Sequence, residues 1–140
     1  MALHLVKMAV GATDFDSLCR GRAERTAQRG WSAVYTRNRP RREEEVLDGG
    51  SLFWVIRGQI RARQRIVALH AERDDNGRGY CLIETETEVV PTLLRPFRPF
   101  QGWRYLLPAD APPDRTGLGE LAGEPPPEAM MRELRDLGLI

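Results

Sequence analysis

Two arginine-rich segments, residues 37–42 and residues 98–106, carry the side chains best suited to contact a ligand. Arginine binds phosphate oxygens through a rigid two-pronged guanidinium, and both arginine and aromatic rings stack on unpaired bases. We expect phosphate contacts from the first segment and base contacts from Arg98 and Trp103 in the second. The residues predicted to contact RNA or a nucleotide are Arg37, Asn38, Arg39, Arg41, Arg42, Arg98, Trp103 and Arg104.

Each segment also has a purely structural interpretation. Glu43, Glu44 and Glu45 follow the first segment and could neutralise its arginines across one helical turn. Trp103 and Tyr105 alternate along the chain, which is also the pattern of strand residues that face a core. Both interpretations stay open at the level of sequence.

A third basic pattern lies in the middle of the chain. The rows involved are Arg61, Arg63 and Arg65 in one predicted strand and Glu84, Glu86 and Glu88 in the next. Alternation places each row on one face of its strand, and the dipeptide Asn76-Gly77 between them suits a hairpin turn. Without a bulge the rows would lie side by side, and each pair would contribute roughly 0.2 to 1 kcal/mol toward fixing the register. A bulge would separate the rows and leave the arginines for phosphate contacts.

Enzyme and metal signatures are missing from the sequence. It has no phosphate-binding loop with lysine, no GxGxxG, no HExxH and no GxSxG motif. The two histidines and two cysteines are isolated, so we expect no metal and no cofactor. Lys7, the only lysine, lies in an apolar segment and could act as a base with a lowered pKa, but a stem packed along a sheet with its amine in water is more common. The sequence therefore favours a binding module over an enzyme.

Composition indicates a soluble cytoplasmic protein that does not enter a membrane. The first ten residues are interrupted by His4 and Lys7, and no apolar run approaches the length of a membrane span. The net charge is +1, but residues 1–109 hold 18 Lys and Arg against 13 Asp and Glu, whereas residues 110–140 are acidic. A GC-rich genome would also raise the arginine content, so the arginine bias alone does not prove a nucleic-acid partner.

Hydrophobic periodicity predicts a mixed α+β domain over residues 1–107. Strands are predicted at 3–10, 31–37, 51–56, 58–69, 80–90 and 100–106, and helices at 13–29 and 41–47. The first helix is predicted to begin with a capping box of Thr13 and Asp16 and to expose Arg22, Arg25 and Arg29 on one side. Residues 108–127 are predicted to form a Pro/Gly-rich linker and residues 128–140 a short amphipathic helix. The expected fold is a small curled mixed sheet or pseudo-barrel with two short helices.

Three segments resemble a bacterial family of unknown function: DGGSLFWVIRG at 48–58, ARQRI at 62–66 and RPFQGWRYL at 98–106. More loosely, the order of strand, helix, Thr36-Arg-Asn38, short helix, Asp-Gly-Gly turn and apolar strand is similar to PUA-like domains, including the ASCH and EVE branches. That resemblance implies a small curled β-barrel that binds RNA or modified bases. It departs from the pattern at Gly49-Gly50, where many of these domains have Gly-Asp.

Three functions follow as hypotheses. The first is a PUA-like module that binds RNA or a modified nucleotide. The second is a small ASCH-like hydrolase of an amide or nucleotide derivative; the resemblance implies a lysine, a threonine and a glutamate, which Lys7, Thr13 or Thr36, and a strand glutamate would supply. The third is an adaptor whose acidic tail and terminal helix, residues 128–140, recruit a protein partner.

Overall fold

A mixed, curled sheet of seven strands with two α-helices makes up the described part of the chain. The computed structural model describes residues 2–115. The strands are β1 (His4–Met8), β2 (Ala33–Thr36), β3 (Ser51–Ile56), β4 (Gln59–Arg73), β5 (Gly79–Thr85), β6 (Val90–Pro96) and β7 (Trp103–Leu106). The helices are α1 (Phe15–Arg29) and α2 (Glu43–Leu47), and a 3-10 turn spans Pro108–Asp110. The predicted α+β class, with a curled mixed sheet and two helices, is confirmed.

The sheet is organised around the 15-residue strand β4. The order across the sheet is β2-β5-β4-β3-β1-β7, and β6 also pairs with β4. The first half of β4 pairs with β3 and β6, and its second half pairs with β5. The register with β5 shifts between Ile66 and Ala68. An extra residue in a strand bends it and increases its twist, so the two halves of the sheet turn away from each other at this point.

Strand β3 is the centre of the core, because all six of its residues are buried. Leu52, Trp54 and Ile56 belong to the cluster on one face, with Leu18 of α1. Phe53 and Val55 belong to the cluster on the other face. An unbroken apolar run is expected where both faces of a strand are covered.

The N-cap of helix α1 lies one residue later than predicted. Its N-cap is Asp14, whose carboxylate accepts a hydrogen bond from the Ser17 backbone N–H at 2.8 Å, and the Ser17 hydroxyl accepts one from the Asp14 N–H at 3.1 Å. The predicted Thr13 and Asp16 pair is therefore wrong. Three residues separate the partners in both cases, but Asp14 is the residue with extended backbone (φ −157°), which a cap requires.

The predicted strand over 80–90 is wrong beyond Thr85, and a strand forms instead at Val90–Pro96. Proline lacks the N–H that a central strand needs, which is why this segment was not expected to pair. Among the described strands β6 pairs only with β4; on its other edge the Leu93 N–H, and not a proline, donates to the Pro113 carbonyl at 2.9 Å.

The arginine and glutamate rows do not lie side by side, because the hairpin has a bulge and β5 ends before Glu86, which is the second of the two alternatives that the sequence left open. Arg63 instead binds the Asp114 carboxylate through two hydrogen bonds of 2.8 Å, and this contact raises the pKa of the Arg63 guanidinium. Arg61 donates to the Ile56 carbonyl at 3.1 Å, and Glu84 lies 2.9 Å from His70. Part of the predicted linker is thus held on the sheet at Asp114, and residues 116–140, with the predicted terminal helix, lie outside the described residues.

The turn before β3 depends on the absence of a side chain at Gly50. A Cβ at this position would lie far inside van der Waals contact with the carbonyl oxygens of Leu3 and Val46. We expect Gly50→Ala to lower the free energy of unfolding by at least about 2 kcal/mol, because neither backbone oxygen can move without disturbing its own element. Urea unfolding followed by circular dichroism measures this. The control is Gly79→Ala, whose Cβ would meet its nearest atom at 4.0 Å; equal losses in the two variants would contradict the steric explanation.

Candidate functional site

A basic pocket of about 320 Å³ lies between β1, the following loop, α1 and β2. Its cationic lining residues are Lys7, Arg22, Arg25 and Arg29. Trp54 and Tyr35 supply aromatic wall, and no acidic residue occurs among the described lining residues. Its volume is in the range of small-ligand sites. We call this cavity the basic pocket.

Helical spacing explains how α1 forms one wall of the basic pocket. Leu18, Gly21, Arg22, Arg25 and Arg29 recur three or four residues apart, and they all line the cavity. The prediction that Arg22, Arg25 and Arg29 share one side is therefore correct. The prediction that this side is exposed is correct for Arg25 and Arg29 and wrong for Arg22, which is only 3% exposed.

The Arg22 guanidinium is buried without a carboxylate partner among the described residues. Its Nη2 donates to the Ser32 hydroxyl at 3.3 Å and to the Ala33 carbonyl at 3.1 Å. Its carbon Cζ lies 5.6 Å from the centre of the Trp54 ring, within cation–π range. Its Nε is buried and has no hydrogen-bond partner among residues 2–115. A buried donor without a partner costs stability unless a ligand binds it.

Burial and neighbouring cations make the charged form of Arg22 unfavourable in the basic pocket. Burial, and then repulsion from Arg25 and Arg29, lowers the pKa of Arg22 to about 10. Arg22 still carries its charge at neutral pH, so the desolvation cost is present there and disappears only as the pH rises through about 10. An anion in the basic pocket would relieve this repulsion.

Lys7 adds a half-buried ammonium to the same wall. Its Cα is paired with Trp54 of β3 on one side and with Trp103 of β7 on the other, so the three side chains share one face of the sheet. Burial lowers the pKa of Lys7. Lys7 therefore does not lie on an exposed edge strand, since β1 lies between β3 and β7, and it lines the basic pocket.

Trp54 is held in one orientation by polar contacts below the basic pocket. Its indole N–H donates to the Gln64 side-chain oxygen at 3.1 Å, and the Gln64 amide donates to the Glu86 carbonyl at 3.0 Å. Gln64 is 0% exposed. The Trp54 ring is therefore held in place by contacts within the protein.

The predicted segment 37–42 is largely engaged in local contacts. Arg39 lies 2.6 Å from Glu43, and Arg42 binds Glu45 at 2.5 Å. Arg37 donates to the Gly79 carbonyl at 3.2 Å, whereas Arg41 is exposed. The structural interpretation, in which the α2 glutamates neutralise this segment, is confirmed for Arg39 and Arg42.

The second predicted segment divides between two faces of the sheet. Trp103 donates its indole N–H to the Asn38 carbonyl at 2.8 Å, so the structure brings these two predicted residues together. Trp103 also packs edge-on against Tyr105 beside the core. Alternation turns Arg104 to the other face, where its guanidinium lies 5.3 Å from the Phe100 ring centre, and Arg98 is exposed. These residues therefore do not form one site.

The residues that sequence reasoning missed are those of the basic pocket. A signal was present, because the arginine stripe of α1 includes Gly21, which opens space on that side of the helix. The burial of Arg22 could not be recognised, since it depends on Trp54, which lies 32 positions away in the sequence.

Residues 2–115 contain neither a cluster of metal ligands nor a membrane-spanning helix. No three His, Cys, Asp or Glu side chains in this region come close enough to hold a metal ion. Over the same residues, no helix has the length and apolar character needed to cross a membrane.

Replacing Arg22 separates a structural role from a ligand-binding role. We expect Arg22→Met to leave the free energy of unfolding unchanged or to raise it by up to about 3 kcal/mol, because an apolar side chain of similar length removes a buried charge. Urea unfolding measures this, with Arg25→Met at an exposed position of the same helix as the control, expected within about 0.5 kcal/mol of the wild type. A loss above about 1 kcal/mol in Arg22→Met alone would show that its bonds to Ser32 and Ala33 are structural.

Comparison with known proteins supports one of the two resemblances. No curated protein and no solved structure matches the chain. A family model described as "Protein of unknown function (DUF1489)" matches residues 5–140, which is most of the sequence. The expected membership in a family of unknown function is therefore confirmed, and the PUA-like resemblance stays a prediction. The chain belongs to the DUF1489 family.

Proposed function

We propose that the chain binds RNA or a nucleotide, with a phosphate group of the ligand held in the basic pocket. The observation that carries this proposal is Arg22, which is only 3% exposed, lines a cavity with three other cations and has an Nε without a partner among the described residues. Guanidinium groups bind phosphate oxygens through short charge-assisted hydrogen bonds. Phosphate would supply both the missing acceptor and the missing negative charge.

The aromatic walls favour a nucleotide over a simple anion. Trp54 is only 4% exposed and is covered by Arg22, so the ring that a base could reach is Tyr35, which is 44% exposed at the edge of the same cavity. Aromatic rings beside a phosphate site are suited to stack a base. The combination of cations with rings, rather than cations alone, points to the nucleotide.

The hydrolase hypothesis has less support from the geometry. Lys7 lines the basic pocket, but neither Thr13 nor Thr36 does, and no described carboxylate lines it. Thr36 is buried and directs its hydroxyl to the carbonyls of Asn38 and Cys81. Ser17 does line the pocket, but its hydroxyl is used in the α1 cap. A lysine without a positioned nucleophile or acid supports binding rather than catalysis.

Nucleoside monophosphates test the proposal directly. We expect the most tightly bound of the four ribonucleoside 5′-monophosphates to bind at least about tenfold more tightly than its nucleoside at low salt, because only the monophosphate carries the anion. Isothermal titration calorimetry measures both.

Arg25→Glu should weaken monophosphate binding by about tenfold or more. Arg104→Glu makes the same charge change on the other face of the sheet and should alter monophosphate binding less than about twofold. Equal binding of nucleoside and monophosphate, or equal losses in the two variants, would overturn the proposal.

A steric block of the basic pocket tests the location without changing any charge. Gly21 lines the cavity, and a Cβ there would meet no atom within 4 Å. We expect Gly21→Leu to abolish monophosphate binding while the protein stays folded, because the added side chain occupies ligand space. Gly21→Ala is the matched control and should raise helix stability by up to about 1 kcal/mol. Undiminished binding by a folded Gly21→Leu variant would place the ligand elsewhere.

A further inference from the structure

Two more cavities adjoin the basic pocket along β2 and β5. The first, which we call the aromatic cavity, has a volume of about 470 Å³ and shares Arg29 and Tyr35 with the basic pocket. The second, the arginine cavity, has a volume of about 580 Å³ and shares Arg73 and Tyr80 with the aromatic cavity. Because neighbouring cavities share lining residues, we treat the three together as one surface and call it the track.

The middle of this track offers three aromatic rings. Tyr35 and Tyr80 lie 5.2 Å apart with their planes tilted by 36°. Trp31, the third ring, packs edge-on against His70 at 5.2 Å. Trp31 and Tyr80 are half-buried, and Tyr35 is 44% exposed. The rings are therefore held by protein contacts while keeping surface on which unpaired bases can stack.

Cations lie at both ends of the track. The basic pocket contributes Lys7, Arg22 and Arg25, and the arginine cavity contributes Arg37 and Arg39. The arginine cavity is lined by three arginines and Glu72; Arg39 is also paired with Glu43 at 2.6 Å and Arg37 lies 3.8 Å from Asp74, so this end is less basic than the other. Arg37 and Arg39 are also residues that the sequence predicted to contact phosphate.

Two carboxylates lie in the aromatic cavity between these ends. Asp74 is engaged by its own loop, since its Oδ1 accepts from the backbone N–H groups of Asn76 at 3.0 Å and Arg78 at 2.9 Å. Its Oδ2 lies 3.8 Å from Arg37. Asp75 is exposed at the rim of the loop. The central part of the track is thus aromatic and nearly neutral, whereas its ends are basic.

We propose that the track binds an unpaired strand of RNA, with one phosphate in the basic pocket, bases stacked on Trp31, Tyr35 and Tyr80, and a further phosphate at Arg37 and Arg39. This inference rests on the proposed function of the basic pocket and extends it from one nucleotide to several. Only a strand with unpaired bases can place its rings on these side chains while its backbone reaches both basic ends, because a duplex keeps its bases stacked inside.

The test measures binding as a function of strand length. Unstructured oligouridylates from one to about eight nucleotides are titrated in competition with a fluorescent octamer, with a blunt RNA duplex as the double-stranded competitor. We expect affinity to increase by about tenfold or more with length and then to level off, and the duplex to compete weakly. The octamer should also lose affinity with salt more steeply than uridine monophosphate does, since it neutralises more cations.

Variants separate the track from the basic pocket. The substitution Tyr80→Ala, at a ring outside the basic pocket, should weaken octamer binding by about tenfold while leaving monophosphate binding within about twofold. Arg37→Glu should show the same selectivity, and Arg104→Glu, the matched charge change on the other face, should affect neither ligand. Leu107→Ala removes an exposed apolar side chain outside the three cavities. It is the control for the loss of a large side chain and should leave the binding of both ligands unchanged.

The outcomes distinguish the two proposals. If monophosphate binding depends on Arg25 but the octamer binds no more tightly, the basic pocket is a nucleotide site and the track is wrong. If the octamer depends on Tyr80 and Arg37 while no monophosphate binds, the track is right and the phosphate assignment in the basic pocket is wrong. Equal binding of duplex and octamer, or no effect of the Tyr80 substitution, overturns the track.

Discussion

The bend in β4 is the constraint on which the other features depend. One strand of 15 residues serves two parts of the sheet, with β3, β1 and β7 attached to its first half and β5 and β2 to its second. The bulge between Ile66 and Ala68 turns these parts away from each other. Helix α1 follows β1 and precedes β2, so it must cross from one part to the other. The basic pocket is the space that this crossing leaves.

Burial of Arg22 in that space keeps a positive charge out of water at a cost to the fold. A guanidinium removed from water without a carboxylate partner destabilises the folded state, and its lowered pKa reports the same cost. The compensating contacts are the Trp54 ring and the oxygens of Ser32 and Ala33. Polar or charged groups kept at the expense of stability are commonly found where a protein binds its ligand. Arg63 differs from Arg22 in this respect, because the Asp114 carboxylate accepts two hydrogen bonds from the Arg63 guanidinium and neutralises its charge.

Local signals in the sequence were accurate where a residue's role depends on its neighbours along the chain. The run Ser51–Ile56 was predicted as a strand with the bounds that the structure shows, and Gly30 ends α1 in the left-handed conformation expected of a C-cap. The neutralisation of Arg39 and Arg42 by Glu43 and Glu45 is likewise a short-range effect. The strand at Val90–Pro96 was missed because its pairing partner lies far away in the sequence, whereas the cap of α1 was misplaced by only one residue.

Residue types, alternation and helical spacing were sufficient to establish the α+β class, the buried strand β3 and the arginine stripe on α1. They could not show which side of α1 would be enclosed, because enclosure depends on how the bulged β4 directs β2 relative to β1. Spacing along a helix defines a face, whereas the environment of that face is set by chain segments tens of residues away. The tertiary structure alone therefore decided that Arg22 lies against Trp54 and that Lys7 joins it. The physical reason is that burial and desolvation are properties of the assembled sheet and helix, not of any single segment.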